Sequence, residues 1–178
     1  MELAAAAEGR DAPAALRSIS GAPPAERETR LHLQAWHLAR LAGIDPGSVG
    51  AVPLGVVVDM HTDDGLDTVA GFADGSARYL NYSGAGVVWE APDPVIGGLV
   101  AALLAASAEV VAVTGPLEGE RPGAPGHGGA TISVLTRGGL HIGAGSVHGL
   151  TNDSRGGTVI NAAAALLGEL VSRASRQG

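Results

Sequence analysis

The chain has 178 residues, of which 46% are apolar, and it contains no cysteine. This length and composition predict one soluble globular domain, and the missing cysteine excludes disulfides, thiol catalysis and cysteine-ligated zinc. The formal net charge is −7, every cationic side chain is an arginine, and the arginines are dispersed, so we do not expect a nucleic-acid partner.

The start of the chain, Met1-Glu2-Leu3 followed by four alanines, lacks the basic region and the apolar core of a signal peptide. We also expect no apolar run to reach the roughly 20 residues of a membrane span. A cytoplasmic protein without a membrane partner is therefore the expectation. Richness in Ala, Gly and Arg without Lys indicates a GC-rich bacterial genome.

The first predicted element is an N-terminal helical segment, residues 1–48. Within it, apolar residues recur with helical spacing over about residues 25–42. The rest of the chain, 49–178, is predicted to form one globular unit.

Four apolar runs between residues 52 and 90 are separated by Asp64-Gly65, Asp74-Gly75 and Ser83-Gly84. Such pairs between β-prone runs predict tight hairpin turns, because glycine accepts positive φ. Strands joined by two-residue turns are antiparallel. The stretch therefore predicts a four-strand antiparallel meander.

A helix is predicted after the meander, because Asp93-Pro94 has the residues of an N-cap followed by a first-turn proline. This helix should reach about Ser107, and residues 109–114 either continue it or form a short strand. Residues 115–129 are rich in proline and glycine, which predicts a flexible loop.

A second hairpin is predicted over residues 131–144 with a Gly138-Gly139 turn, and a last helix over 158–174 with Thr158 as its N-cap. The predicted fold is therefore α+β. Its antiparallel sheet combines a four-strand meander with a second hairpin, and its helices pack on one face.

Two-residue turns also predict the register of the meander: Met60 opposite Val69, Val69 opposite Leu80, and Leu80 opposite Val87. The face that this register assigns to the core carries Leu54, Val56, Val58, Met60, Val69, Leu80, Tyr82, Val87 and Trp89. Arg78 is predicted opposite Trp89 on the same face, in a cation–π contact.

The other predicted face mixes apolar and polar side chains: Val57, Asp59, His61, Thr68, Ala70, Phe72, Tyr79, Asn81, Val88 and Glu90. One interpretation is a partly exposed sheet surface, since scattered apolar residues are normal on surfaces. The other is an interface, most simply that of a homodimer, which buries Val57, Phe72, Tyr79 and Val88.

Four residues form the candidate polar site: Asp59, His61 and Asn81 from the meander, and His141 from the second hairpin. Carboxylate and imidazole groups can ligate a divalent metal, but the spacings of an EF-hand or of a zinc-binding histidine pair are missing. Neither a metal nor a cofactor is predicted. No catalytic residue is predicted either, because no serine has the surroundings of a nucleophile elbow.

The segments Leu54–Met60, Ala73–Gly84 and Val87–Glu90 are similar to uncharacterised single-domain proteins of GC-rich bacteria, a resemblance that implies no activity. At the level of fold, a meander flanked by helices resembles roadblock and profilin-like modules, which are small dimerising regulators. The predicted order departs from the roadblock pattern, which splits its strands two and three.

The mixed face and the missing catalytic motifs favour a non-enzymatic cytoplasmic adaptor or regulatory subunit, with a protein partner and a homo-oligomeric state. Two alternatives remain open at this point. One is a small metal-dependent hydrolase that uses Asp59, His61 and His141. The other is a small-ligand sensor with its pocket between the sheet and the last helix.

Overall fold

A computed structural model describes residues 51–177 of the chain. Six strands and three helices follow one another in the order β-β-β-β-α-β-β-α-α. Their bounds are β1 Gly55–Thr62, β2 Gly65–Phe72, β3 Ala77–Leu80, β4 Gly86–Trp89, α1 Pro94–Val113, β5 Gly129–Thr136, β6 Gly139–Ser146, α2 Val147–Asn152 and α3 Gly156–Gln177. The predicted N-terminal helical segment, 1–48, lies outside the described residues.

The six strands form one antiparallel sheet in the order β4-β3-β2-β1-β5-β6. The meander supplies β1 to β4, and the second hairpin joins the free side of β1 through β5. This is the predicted α+β fold, a meander plus a hairpin with helices on one face.

Helices α1 and α3 pack together on the same side of the sheet. A Cβ atom added at Gly71 would lie 3.3 Å from Val100 and Leu103 of α1, so α1 lies close to the backbone of β2. The fully buried side chains of this layer include Val56, Val58, Val69, Ile132 and Val134 from the sheet, and Ile96, Leu103, Val159, Leu166 and Leu170 from the helices. Burial of this many branched apolar side chains is the main stabilising contribution to the fold.

Helix α1 begins as the sequence predicts and ends later. The Asp93 side chain accepts hydrogen bonds from the N–H groups of Val95 and Ile96, and Pro94 occupies the first turn. The helix continues to Val113. Residues 109–113, for which the sequence allowed either a helix or a strand, are therefore helical, and Thr114 is the C-cap.

Helix α1 is long and apolar enough to cross a membrane, with 20 residues and a mean hydropathy of 2.1. The expectation that no apolar run reaches this length is therefore wrong. A core helix of a soluble protein meets the same criterion, and one side of α1 packs into the core described above. Length and composition alone do not distinguish the two cases.

The second and third turns of the meander are one residue longer than predicted. Phe72 N–H donates to Ser76 O at 3.0 Å, which closes a three-residue turn that ends in Gly75 at a φ of 82°. The third turn is built in the same way and ends in Gly84, also at 82°. Three-residue hairpin loops place a glycine at the left-handed position, so the glycines were identified correctly but their place in the turn was not.

These longer turns change which side chains face the core. Val69 lies opposite Tyr79 rather than Leu80, and a shift of one residue moves every side chain of β3 to the other face. Tyr79 therefore packs against the core, while Leu80 and Tyr82 are exposed. The shift in the third turn restores the original alternation, so Val87 packs on the core side as predicted.

The first turn is formed by residues 63–64, and Met60 lies opposite Asp67 instead of Val69. This shift of two residues leaves the faces of β1 and β2 as predicted. The second hairpin is also displaced, with residues 137–138 in its turn and His141 opposite Val134.

Two features near the last helix differ from the sequence-based prediction. The short helix α2 was not predicted; Ser146 caps it by accepting a hydrogen bond from Gly149 N–H. Helix α3 begins at Gly156, two residues before the predicted Thr158 cap. The carboxylate of Asp153 accepts from Gly156 N–H at 2.7 Å, whereas Thr158 donates its hydroxyl to Arg155 O.

Candidate functional site

The side of the sheet that faces away from α1 and α3 is called the outer face here. Its side chains come from alternate positions of all six strands and include Val57, Asp59, His61, Thr68, Ala70, Phe72, Arg78, Leu80, Val88, Thr131, Ser133, Leu135 and Ile142. The mixture of apolar and polar groups that the sequence predicts is present, with Leu80 and Arg78 in place of Tyr79 and Asn81.

The exposed apolar part of the outer face lies at its β3–β4 end. Leu80 is 48% exposed and Val88 is 54% exposed. Val57 and Phe72 lie nearer the centre and are half-buried, and Phe72 covers the backbone at Gly55, where a Cβ atom would be 2.7 Å from its ring. Between these apolar residues, Arg78 forms an ion pair with Glu90 at 2.8 Å.

Toward the other end, the outer face carries a buried carboxylate. Asp59 is 8% exposed and accepts hydrogen bonds from Thr68 Oγ1 and from Arg121, each at 2.6 Å. A buried carboxylate is costly unless hydrogen bonds or a cation compensate it, and here both are present. Arg121 belongs to the loop that the sequence predicts, and this contact holds the loop across the outer face.

Two histidines hold the same loop further along. Nδ1 of His61 donates to the carbonyl oxygen of Pro125 at 3.0 Å, because a carbonyl can only accept. His127 contacts Asp63 at 2.9 Å and stacks edge-on against His61, with ring centres 5.8 Å apart. The loop contains no helix and no strand before Gly129, as predicted, and these contacts keep it close to the sheet.

The four residues of the predicted polar site are not brought together. Asp59 and His61 share the outer face, but His141 is buried on the helix side, where its Nδ1 donates to Thr114 O at 2.9 Å. Asn81 caps the third turn, since its Oδ1 accepts from Ser83 N–H at 3.0 Å. The structure therefore does not bring Asp59, His61 and His141 together.

Tyr79, which we predicted to lie at the interface, belongs to the core side. Its hydroxyl donates to Asp67 at 2.9 Å. Burial, followed by the hydrogen bond to Asp67, raises the pKa of the Tyr79 hydroxyl above its ordinary value. The predicted interface therefore loses Tyr79 and keeps Val57, Phe72 and Val88 on one face.

The predicted contact between Arg78 and Trp89 is also absent, since the two residues lie on opposite faces. The cation over the Trp89 ring is Arg173 of α3, with its guanidinium carbon 4.9 Å from the ring centre. Sequence reasoning missed Arg173 because no local pattern connects β4 to a helix more than 80 residues later. A cation near an aromatic ring is favourable wherever the fold brings the two together.

Arg173 also connects α3 to the N-terminus of α1. It forms ion pairs with Asp93 and, at 2.6 Å, with Glu169. The N–H of Ile96, followed by Arg173, lowers the pKa of Asp93, and the two carboxylates raise the pKa of Arg173. Two backbone N–H groups, that of Gly156 first, lower the pKa of the second capping carboxylate, Asp153.

A cavity of about 590 Å³ lies beside β4 and is lined by residues 86–91 and by Ala174 of α3. It lies between the edge of the sheet and the last helix, the region in which the alternative of a small-ligand sensor places its pocket. The lining is mostly the strand itself and offers no cluster of converging polar side chains. Among residues 51–177, no three His, Asp or Glu side chains are placed to hold a metal ion together.

The chain matches no protein-family model, and comparisons with curated proteins and with solved structures find no match.

Proposed function

We propose that the protein is a non-enzymatic adaptor or regulatory subunit that binds a protein partner through the β3–β4 end of the outer face. The observation that carries this proposal is the pair of exposed apolar side chains, Leu80 and Val88, on a sheet face that α1 and α3 leave free. Large apolar side chains exposed together on one surface are typical of protein interaction sites.

Three further observations support the proposal. Phe72 and Val57 extend the apolar surface toward the centre of the sheet. Arg78 and Glu90 add a charge pair beside Val88, and a polar group next to an apolar centre is the usual composition of an interface. The alternative of a metal-dependent hydrolase has less support, because His141 lies on the helix side.

The test compares two substitutions of equal charge at positions of similar exposure. Leu80→Asp changes the proposed binding surface, and Val171→Asp changes an exposed position on α3. Leu80 is 48% exposed and Val171 is 42% exposed. Both variants should fold, because exposed substitutions seldom change stability by more than about 0.5 kcal/mol. Each tagged variant is expressed in the source organism, and co-isolated proteins are quantified by mass spectrometry.

We expect a protein that co-isolates with the wild type and with Val171→Asp, and whose recovery falls at least about tenfold with Leu80→Asp, since burying a carboxylate in an apolar interface is unfavourable. Equal recovery with both variants would contradict the proposal.

A further inference from the structure

The two edges of the sheet differ in how their backbone groups are satisfied. At the β6 edge, Leu117 N–H donates to Leu140 O at 2.6 Å, so the loop after α1 covers part of that strand. At the β4 edge, no strand among residues 51–177 pairs with the outer side. A bare edge strand is a template for pairing with another chain.

The hydrogen-bond pattern shows which backbone groups of β4 face outward. Asn81 N–H donates to Ala85 O at 2.9 Å, so these residues form a hydrogen-bonded pair of the ladder. Because such pairs alternate along antiparallel strands, the backbone groups of Val87 are directed to β3 and those of Gly86 and Val88 are directed outward.

Proteins usually protect an edge strand with a charged residue, a proline or a bulge. Strand β4 has the sequence Gly-Val-Val-Trp and contains no charged residue or proline. The nearby charges balance, with Arg78, Arg173 and Arg176 against Glu90, Asp93 and Glu169. Two copies of this edge can therefore approach without a local excess of one charge.

The geometry points to an interface between two copies of this chain, in which β4 pairs antiparallel with β4 of the second copy across a twofold axis. Val87 then lies opposite Val87 of the other copy. The N–H and C=O groups of Gly86 in each copy form hydrogen bonds with the C=O and N–H groups of Val88 in the other copy. Such an interface uses the same surface on both copies, which is the usual symmetry of a homodimer. The two sheets join into one continuous sheet.

The position of the cavity beside β4 is compatible with a second copy of the chain at this edge. Both Val87 side chains lie on the helix side of the joined sheet, and the cavity opens there between β4 and Ala174. A strand of four residues buries less area than the roughly 1,200 Å² of a standard interface, so the dimer should be weak and dependent on concentration. This inference does not depend on the proposed partner, whose test uses Leu80.

The first test measures self-association of the full chain by sedimentation velocity between about 1 and 200 µM, a range suited to an interface of the small size class. We expect a monomer–dimer equilibrium in the wild type, retained in Val88→Thr, which keeps the backbone donor and the branched shape. Val88→Pro should weaken the dimer at least tenfold, because proline removes the outward N–H without breaking a bond to β3. A monomer throughout, or a dimer unaffected by Val88→Pro, would overturn the inference.

A second measurement decides the question even if Val88→Pro does not fold. The chain has no cysteine, so Val87→Cys introduces a single thiol. Directly opposed residues of a non-hydrogen-bonded antiparallel pair have Cα atoms about 4.5 Å apart, within the range of a disulfide. With oxidised glutathione, Val87→Cys should form a covalent dimer, whereas the exposed control Val113→Cys should not. Equal yields from the two positions, or no dimer from Val87→Cys, would overturn the inference.

Discussion

The guanidinium carbon of Arg173 lies 4.9 Å from the centre of the Trp89 ring, and the same side chain forms an ion pair with Asp93 at the N-terminus of α1. One residue therefore connects β4, α1 and α3. Strand β4 carries Val88 of the outer face and forms one edge of the sheet, so Arg173 helps to position both proposed interaction surfaces from the opposite side of the sheet.

This relationship predicts an acid-sensitive component of stability. The pKa of Asp93 is lowered in the fold, so its stabilising contribution is fully present above the unfolded pKa of about 4 and is lost as pH falls through the lower folded value. Asp93→Asn keeps a capping side chain but removes the charge. Urea unfolding at pH 7 and pH 3 should show a smaller loss of stability on acidification in Asp93→Asn than in the wild type. An unchanged loss would contradict the assignment.

The face assignment of β3 predicts opposite outcomes for neighbouring residues. Tyr79→Asp places a carboxylate against the core and close to Asp67, and should lower the free energy of unfolding by more than about 3 kcal/mol. Leu80→Asp changes an exposed residue and should lower it by less than about 1 kcal/mol. Urea unfolding of the two variants measures both values. The reverse order would restore the register that two-residue turns predict.

Two glycines with different backbone conformations provide another test. Gly75 has a φ of 82°, where an L-residue costs about 1–2 kcal/mol, so Gly75→Ala should destabilise the protein by about that amount. Gly98 lies in α1 with no atom within 4 Å of an added Cβ, so Gly98→Ala should stabilise by up to about 1 kcal/mol. Thermal unfolding of both variants should show shifts of opposite sign. Shifts of the same sign would contradict either the positive φ assigned to Gly75 or the open helical position assigned to Gly98.

The loop contact at Asp59 predicts a third pair of results. Removing Arg121 leaves a carboxylate that is 8% exposed with Thr68 as its remaining side-chain donor, so Arg121→Ala should cost about 1–2 kcal/mol. Arg176→Ala removes a cation whose nearest carboxylate, Glu169, is 3.7 Å away, and should cost less than about 0.5 kcal/mol. Urea unfolding compares the two arginines. Equal effects would mean that Arg121 does not hold the loop.

Much of the fold follows from local chemistry. The glycines of the meander, the Asp93-Pro94 start of α1 and the helical spacing of α3 each predict their element correctly, because turns and caps depend on a few adjacent residues. The register does not follow in the same way. Asp74-Gly75 is compatible with a two-residue turn and with a three-residue turn that ends in glycine. The two turns place every side chain of β3 on opposite faces of the sheet.

The candidate site was predictable within β1 and β2, and Val88 of β4 was also assigned to the correct face because the shifts in the second and third turns cancel. Val57, Asp59 and Phe72 share a face, as the alternation of strand residues predicts. Arg121 and Arg173 were missed because each contacts a residue more than 60 positions away, through a loop or a helix whose path the sequence does not specify. The place of His141 depended on the same missing information.

The central claim, that the β3–β4 end of the outer face binds a protein partner, is tested most directly by a photo-reactive side chain. Benzoylphenylalanine replaces Leu80 in one variant and Val171 in another, and cells of the source organism are irradiated. The account predicts one discrete adduct from position 80, with a mass other than twice that of the chain, and none from position 171. The same adducts from both positions, or an adduct from position 171 alone, would contradict it.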